Sequence, residues 1–150
     1  MREIERKFLV RKLPENLAKY ARIEISQGYI AEDPTGVVVR LRKAGQDHCL
    51  TIKKQLDVAR EEHNIPLTAE QWSALWPLTR GRRLHKLRFD VPYKQHTIEV
   101  DVFSGLNNGL VTAEVEFPNE ESARRFRAPK WLGAEITGDP MYSNRRRAVE

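Results

Sequence analysis

The chain has 150 residues, of which 40% are hydrophobic and 31% are charged, and its formal net charge at pH 7 is +5. This length corresponds to one domain with a hydrophobic core, and three Trp, four Tyr and five Phe exclude a disordered tail. The sequence has no apolar run of about 18 residues and no apolar N-terminal segment, so we expect neither a membrane span nor a secretory signal. Its single cysteine, Cys49, excludes a disulfide framework. We expect a cytoplasmic protein with one domain over residues 1–150, whose positive charge favours an anionic partner.

Alternation of apolar and polar residues with a period of two predicts that most of the chain forms β-strands. Turn residues separate several of these segments, as in Asp33-Pro34-Thr35-Gly36. Because the connections are short, neighbouring strands are expected to pair antiparallel. The predicted strands are 2–10, 22–31, 36–43, 48–54, 59–66, 84–91, 96–103 and 110–117.

Helices are predicted where N-terminal capping signals occur. Thr68 and Gln71 have the spacing of a capping box, which predicts a helix after residue 68. Asn119 is followed by two glutamates and predicts a second helix. We also expect a short helix at 14–21 and a last one that begins at Ser143.

One face of seven predicted strands is specifically charged. The basic members are Lys7, Arg40, Arg42, Lys53, Arg60, Lys86 and Arg88, and the acidic members are Glu3, Glu5, Glu62, Glu99, Asp101, Glu114 and Glu116. An antiparallel sheet with one hydrated face would also carry charges. However, like charges lie two residues apart within single strands, where they repel each other. We therefore favour a face that converges on a ligand.

Turning the charged face inward predicts a hydrated tunnel. Burying one ion without water costs several kcal/mol, whereas the stability of a whole protein is only about 5–15 kcal/mol. Such an interior has to hold water and ions, and the apolar outer faces need helices as a cover. We predict an α+β fold in which an eight-stranded antiparallel β-barrel, or tunnel, has a charged interior and is covered by a few α-helices.

The residue types on this face indicate the ligand. Clustered carboxylates without a histidine pair suit a hard cation, Mg²⁺ or Mn²⁺. Arginine and lysine on the same face suit phosphate oxygens, two of which one guanidinium can bind at once. The combination predicts a metal-bound polyphosphate, and positioning and electrostatic stabilisation account for most catalysis of phosphoryl transfer.

An ordered set of motifs extends over nearly the whole chain. It begins with Glu3-Ile4-Glu5-Arg6-Lys7 and ends with Tyr142-Ser143-Asn144. The motifs between them include Gln27-Gly28-Tyr29, Val39-Arg40-Leu41-Arg42, Lys86-Leu87-Arg88 and Ala113-Glu114-Val115-Glu116. In this order they resemble the CYTH superfamily of triphosphate tunnel metalloenzymes, and most of all its short single-domain bacterial members of the inorganic triphosphatase type.

The resemblance implies two divalent cations, Mg²⁺ or Mn²⁺, and a small-molecule triphosphate substrate. By position, Glu3, Glu5 and Glu116 correspond to ligands of the first metal, and Glu62, Asp101 and Glu114 to further ligands of a metal or its water. The corresponding triphosphate contacts are Lys7, Arg40, Arg42, Lys53, Arg60, Lys86 and Arg88. The implied reaction is attack of a metal-activated water on a terminal phosphoryl group, which releases pyrophosphate and phosphate. Lys86 and Glu62 are the catalytic candidates.

One position departs from the family pattern, and several functions stay open. Where the family strand reads R-x-E-x-E, this chain has Asn64 at the second acid, which predicts a weaker second metal site. The alternatives are hydrolysis of thiamine triphosphate or a nucleoside triphosphate, cyclisation of ATP, and binding of polyphosphate without turnover. Seven carboxylates on the shared face argue against nucleic acid. We expect no membrane partner and a monomer or homodimer.

Overall fold

The computed structural model of the protein describes residues 3–55 and 60–150. Its strands, numbered along the chain, are β1 (Ile4–Val10), β2 (Arg22–Glu32), β3 (Val37–Ala44), β4 (Asp47–Gln55), β5 (Arg60–Leu67), β6 (Arg83–Tyr93), β7 (His96–Phe103), β8 (Val111–Phe117) and β9 (Leu132–Glu135). They form one antiparallel sheet in the order β5-β4-β3-β2-β6-β7-β8-β1-β9.

The alternation pattern predicts β1 to β8 to within two residues of their ends. Two predicted first residues, Arg2 and Ala59, lie outside the described residues. The pattern misses β9, because this strand has only four residues and one of them is Gly133. The antiparallel α+β class is confirmed, but the eight-stranded closed barrel is corrected to a nine-stranded sheet whose edges, β5 and β9, do not pair with each other.

The charged face is the inner face of a strongly curled sheet. Arg60 at the start of edge strand β5 lies 2.5 Å from the Glu3 carboxylate and 3.5 Å from that of Glu5 in β1. Six strands separate β5 from β1 in the sheet order. The sheet therefore wraps around its charged face, and ion pairs between side chains join the two sides of the resulting channel.

The apolar face of the sheet points outward, as predicted, and forms the main hydrophobic core under a helix. The covering helix is α2 (Glu120–Arg125), which brings Ala123 and the following Phe126 onto β1, β7 and β8. The buried members of this core are Phe8, Phe89, Val91, Ile98, Val100, Ala113, Val115, Phe117, Ala123, Phe126 and Leu132. At roughly 25 cal/mol per Å² of buried apolar surface, this outer layer stabilises the strands that carry the charged face.

A second cover packs on the outside of β2. Trp72 of α1 (Ala69–Leu75) stacks on Trp76 with 4.6 Å between the ring centroids. The 3-10 turn that follows brings the Thr79 side chain against β2, where a Cβ atom on Gly28 would lie only 2.6 Å from it. Glycine at position 28 is therefore required by this outer contact.

The capping signals give mixed results. The Thr68–Gln71 capping box and the Asn119 cap are both present, and α3 (Asn144–Arg147) begins after a Ser143 cap as expected. The predicted helix at 14–21 is wrong: it is reduced to the 3-10 turn Leu17–Lys19, because Asn16 has a left-handed backbone (φ 58°) that interrupts a helix. Among the helices that the structure describes, none combines the length and apolarity needed to span a membrane.

Candidate active site

Three cavities follow one another along the charged face and share lining residues. The first has a volume of about 310 Å³, and Tyr29 and Arg145 are among the residues that line it. The second, of about 80 Å³, is lined only by polar and charged residues. The third, of about 490 Å³, shares four of those residues. The shared residues indicate one continuous channel. A separate cavity of about 290 Å³ beside α2 contains none of the predicted site residues.

The channel brings together eleven of the thirteen predicted site residues. Lys7 lines the first cavity, Glu5, Arg40, Lys53, Arg60 and Glu114 line both the first and second, Glu3 and Glu62 line the second, and Arg42, Arg88 and Glu116 line both the second and third. The other two, Lys86 and Asp101, are buried in the wall, with 3% and 2% of their surface exposed. The prediction that these residues share one enclosed face is therefore met by the geometry, whereas their individual roles stay predictions.

One side of the channel, which we call the acidic wall, consists of Glu3, Glu5, Glu99, Glu114 and Glu116. Glu5 pairs in register with Glu116, and Glu114 with Glu99. Burial and the nearby Glu114 carboxylate raise the pKa of Glu5 to about 7. Burial, Glu3 and Glu114 likewise raise the pKa of Glu116. These carboxylates are crowded enough to favour binding a proton or another cation.

The opposite side, which we call the basic wall, consists of Arg40 and Arg42 on β3 and Lys53 on β4. Burial, together with repulsion from Arg40 and Arg60, lowers the pKa of Lys53 to about 8. Burial also lowers the pKa of Arg42, again with repulsion from neighbouring arginines. Within the described part of the chain, the buried Nε atoms of Arg40 and Arg42 have no hydrogen-bond partner. The basic wall therefore has spare donors and spare positive charge.

Two further arginines act as counterions of the acidic wall. Arg60 contacts Glu3 and Glu5. Arg88 donates to both oxygens of Asp101, at 2.7 and 2.9 Å, and also to Glu99 at 2.9 Å and Glu114 at 3.3 Å. Such bidentate pairs are among the stronger charge-assisted hydrogen bonds.

Lys86 is held in the channel wall by Asp101. Its Nζ donates to Asp101 at 2.8 Å and to the Asn144 side chain at 3.4 Å, and it lies 5.5 Å from the centre of the Phe103 ring. Although burial acts to raise the pKa of Asp101, Lys86 and Arg88 outweigh it and hold that pKa well below its usual range. Asp101 is therefore ionised and fixes the position of both cations.

Asn64, the departure from the family pattern, belongs to a chain of hydrogen bonds. Arg40 donates to the Thr51 hydroxyl at 3.4 Å, Thr51 donates to Asn64 Oδ1 at 2.7 Å, and Asn64 Nδ2 donates to Glu62 at 3.3 Å. The amide orientation follows from its neighbours, because the reverse orientation would place its oxygen against the Glu62 carboxylate. Asn64 is therefore a donor toward Glu62, and its oxygen is engaged by Thr51.

The C-terminal segment contributes lining residues to the first cavity. Lys7 Nζ donates to the Tyr142 carbonyl at 2.6 Å, and Arg145 forms an ion pair with Glu32. Asn144 lines both the first and second cavities. Asn144 and Gln27, which also lines the second cavity, are not among the residues predicted from the sequence to form the site. Both lie in motifs that carry the family resemblance, and for Gln27 the signal is a polar residue on the inner face of β2.

The fit of a divalent cation is tested by the donor set. As the side chains lie, no three His, Cys, Asp or Glu side chains in residues 3–55 and 60–150 are grouped closely enough to hold a metal ion. The chemistry nevertheless fits, since the acidic wall offers only oxygen donors and its crowded carboxylates favour added positive charge. Arg60 and Arg88 hold these oxygens now, so a cation would replace them as counterions.

Comparisons with known proteins agree with this geometry. The chain is 37% identical to an inorganic triphosphatase of Nitrosomonas europaea, with 99% of this chain and 98% of that protein covered. It is 38% identical to an inorganic triphosphatase of Acetivibrio thermocellus, with coverage of 95% and 90%. The crystal structure of the inorganic triphosphatase NE1496 superposes with a TM-score of 0.76 at 36% identity, covering 99% of this chain and 95% of that one. The CYTH domain model matches residues 1–141, and the chain therefore belongs to the CYTH domain family.

Proposed function

We propose that the protein is a metal-dependent hydrolase that converts inorganic triphosphate to pyrophosphate and phosphate. The observation that carries this proposal is the pairing of a basic wall with an acidic wall across one narrow channel. A polyphosphate neutralises the first wall and a divalent cation the second. The full-length relatives named inorganic triphosphatase support the same activity.

The basic residues bind and orient the phosphate chain in this proposal. Arg40, Arg42 and Lys53 already face the second cavity, and their mutual repulsion is relieved by a polyanion. Arg60 turns from the carboxylates to the phosphates when a cation replaces it. Arg88 exchanges its contacts with Glu99 and Glu114 for phosphate, while Asp101 continues to hold it. Lys7 lines the first cavity, where it binds the phosphate at the end of the triphosphate.

The acidic residues hold the metal. Glu3, Glu5 and Glu116 are proposed as first ligands and Glu62, Asp101 and Glu114 as further ones, with Mg²⁺ or Mn²⁺ as the ion and two ions per site. The bound cation supplies charge neutralisation and a lowered pKa for a water molecule. Asp101 has the weakest claim among the six, because Lys86 and Arg88 occupy both of its oxygens.

Lys86 and Glu62 are the proposed catalytic residues. Lys86 donates hydrogen bonds from a fixed position in the wall and so orients the attacking water or the phosphoryl oxygen. Burial acts to raise the pKa of Glu62, but Lys53 and Arg40 outweigh it and lower that pKa, so the carboxylate is ionised. Its buried Oε2 has no hydrogen-bond partner among the described residues and lies 3.5 Å from Lys53. It is placed to accept a hydrogen bond from water.

An organic triphosphate is the second candidate substrate. The first cavity combines its charged residues with apolar surface from Tyr29, Val38 and Ile136. Such a surface suits the thiamine or nucleoside part of a substrate whose phosphates enter the second cavity. Cyclisation of ATP and binding without turnover remain further alternatives, and action in the cytoplasm as a monomer or homodimer stays a prediction.

A substrate panel tests the proposal. Phosphate release is measured with tripolyphosphate, ATP, thiamine triphosphate and pyrophosphate, each with Mg²⁺, with Mn²⁺ and with a chelator. We expect the fastest release from tripolyphosphate, and none with the chelator. Faster turnover of ATP or thiamine triphosphate would favour the second candidate, cyclic AMP as the product would favour cyclisation, and turnover unaffected by the chelator would refute the role of the metal.

A further inference from the structure

Gln27 on β2 is a buried amide that lies near the Tyr29 hydroxyl but forms no hydrogen bond of normal geometry among the described residues. The residue is 0% exposed. Within the part of the chain that the structure describes, neither Nε2 nor Oε1 has a hydrogen-bond partner. Leaving a buried polar group unpaired destabilises a fold. A glutamine that only filled space would therefore be less favourable here than an apolar residue of the same size.

The position of Gln27 shows what its amide can meet. In the sheet register it lies between Arg42 of β3 and Leu84 of β6, and its side chain lines the second cavity. The Nε atoms of Arg40 and Arg42, on the neighbouring strand, are also buried and without partners among the described residues. The side chains of Gln27, Arg40 and Arg42 line the same small cavity, as does Arg60, whose Nε is likewise without a partner among the described residues. A ligand with several acceptor oxygens satisfies all of them together.

A neutral donor suits this position better than another cation would. Arg40 and Arg42 already repel each other, and burial adds to the unfavourable energy of their charges. An amide adds a hydrogen bond to an anion without adding to that repulsion. Its Oε1 also provides an acceptor for a guanidinium N–H, so that the amide links an arginine to the ligand.

We propose that Gln27 is a substrate-binding residue, whose Nε2 donates to a phosphate oxygen of the triphosphate beside Arg40 and Arg42. Its Oε1 accepts a hydrogen bond from one of these arginines and so fixes the amide orientation. The proposal deepens the proposed function and takes the identity of the ligand from it.

The test replaces the amide by an apolar side chain of similar length. Gln27→Met is compared with the same change at Gln46, which is exposed in the turn between β3 and β4. Tripolyphosphate binding is measured by calorimetry without added metal, turnover is measured with Mg²⁺, and the melting temperature is recorded for each protein. We expect Q27M to weaken binding and to raise KM by about tenfold or more. Its melting temperature should equal or exceed that of the wild type. Q46M should leave the binding affinity, KM and the melting temperature unchanged.

The three measurements separate the outcomes. A hydrogen bond used within the fold would lower the melting temperature of Q27M, and that result, or an unfolded variant, would overturn the proposal. Unchanged affinity and KM would also overturn it. If the wild type binds tripolyphosphate through Gln27 but does not hydrolyse it, the inference holds while the proposed function fails. If the wild type hydrolyses tripolyphosphate and Q27M matches it, only the inference fails.

Discussion

The acidic and basic walls face each other across one channel but differ in how their charges are compensated. Carboxylates of the acidic wall have counterions from the chain itself, since Arg60 contacts Glu3 and Glu5, and Arg88 contacts Glu99 and Glu114. Arg40 and Arg42 of the basic wall have buried Nε atoms without a partner among the described residues. The acidic wall can therefore exchange its arginine counterions for a cation, whereas the basic wall can bind a hydrogen-bond acceptor.

This difference explains how one fold can carry so many buried charges. Isolated buried ions would destabilise the domain by more than its total stability. The arginines that bridge to carboxylates reduce this penalty, and the hydrated cavities reduce it for the rest. The same arginines become available for phosphate once a cation takes their place, so binding of metal and of substrate are expected to favour each other.

Removing one carboxylate from the acidic wall should have the largest effect on the reaction. Glu5→Gln deletes a proposed metal ligand, and we expect turnover of tripolyphosphate to fall by at least about a hundredfold, because changes even beyond the ligands lower metal-dependent activity by about 10–100-fold. The melting temperature should stay the same or rise, since repulsion with Glu114 is relieved. Glu15→Gln, at an exposed position, is the control. Turnover at the wild-type rate would refute the metal assignment.

Removing one cation from the basic wall should act on substrate binding. Arg42→Met deletes a guanidinium that faces the second and third cavities. We expect KM for tripolyphosphate to rise by about 10–100-fold, in line with a hydrogen bond to a charged group, without a lower melting temperature. Steady-state kinetics and a thermal melt measure both, and Arg124→Met on the exposed side of α2 is the matched control. A stability loss with unchanged KM would show that Arg42 is structural.

Sequence alone predicts the strands and the inner face well, for a physical reason. The two faces of each strand differ sharply in polarity, as in Lys86-Leu87-Arg88, so the period of two is unambiguous. The strand β9 has no such contrast, and its position depends on pairing with the edge of β1. Likewise, the interrupted helix at 14–21 depends on the backbone of Asn16, which the local residue pattern does not reveal.

The candidate site was predictable as a set but not as a network. The alternation places Asp101 and Glu114 on the inner face, yet gives no indication that Asp101 is fully engaged by Lys86 and Arg88. Which carboxylate pairs with which cation depends on distances between side chains on strands that are far apart in sequence. The role proposed for Gln27 could not be predicted for the same reason, since it depends on buried amide atoms that form no hydrogen bond of normal geometry among the described residues.

The pH dependence of stability should have opposite signs for the two walls. The pKa of Glu5 is about 7 in the folded protein against an ordinary value of 4.5, so its contribution to stability is present below pH 4.5 and lost as the pH rises through 7. The pKa of Lys53 is about 8 against 10.5, so its contribution is present above pH 10.5 and lost as the pH falls through 8. Each should amount to about 1–2 kcal/mol after allowance for partial exposure.

Denaturant unfolding with a chelator present measures both slopes. We expect E5Q to flatten the decline in unfolding free energy between pH 4.5 and 7, and Lys53→Met to flatten the rise between pH 8 and 10.5. E5Q should leave the rise in place. Lys53→Met should keep or steepen the decline, because Lys53 acts to lower the pKa of Glu5, and each variant is thus the control of the other. If both variants kept the wild-type dependence of unfolding free energy on pH, crowding within the walls would not be what shifts the pKa values of Glu5 and Lys53.

The smallest effect is expected from Asn64, which is linked to Arg40 of the basic wall through Thr51 and donates to Glu62. Asn64→Asp keeps the size of the side chain but replaces the donor toward Glu62 by a second carboxylate, and the Thr51 hydroxyl keeps its acceptor. Although N64D restores the second acid of the family pattern, one of its oxygens stays engaged by Thr51, so we expect no gain in metal binding. The Glu62 pKa should rise because a negative charge now lies beside it, and kcat should fall by about 2- to 10-fold, the range of one ordinary hydrogen bond. A higher kcat would instead support the weaker second metal site predicted from the sequence. The loss should be larger at low pH, because Glu62 becomes protonated at a higher pH in the variant than in the wild type. The pH profile of kcat tests this prediction, with Asn108→Asp in an exposed turn as the control. A uniform loss at every pH would mean that Asn64 acts on something other than the Glu62 carboxylate.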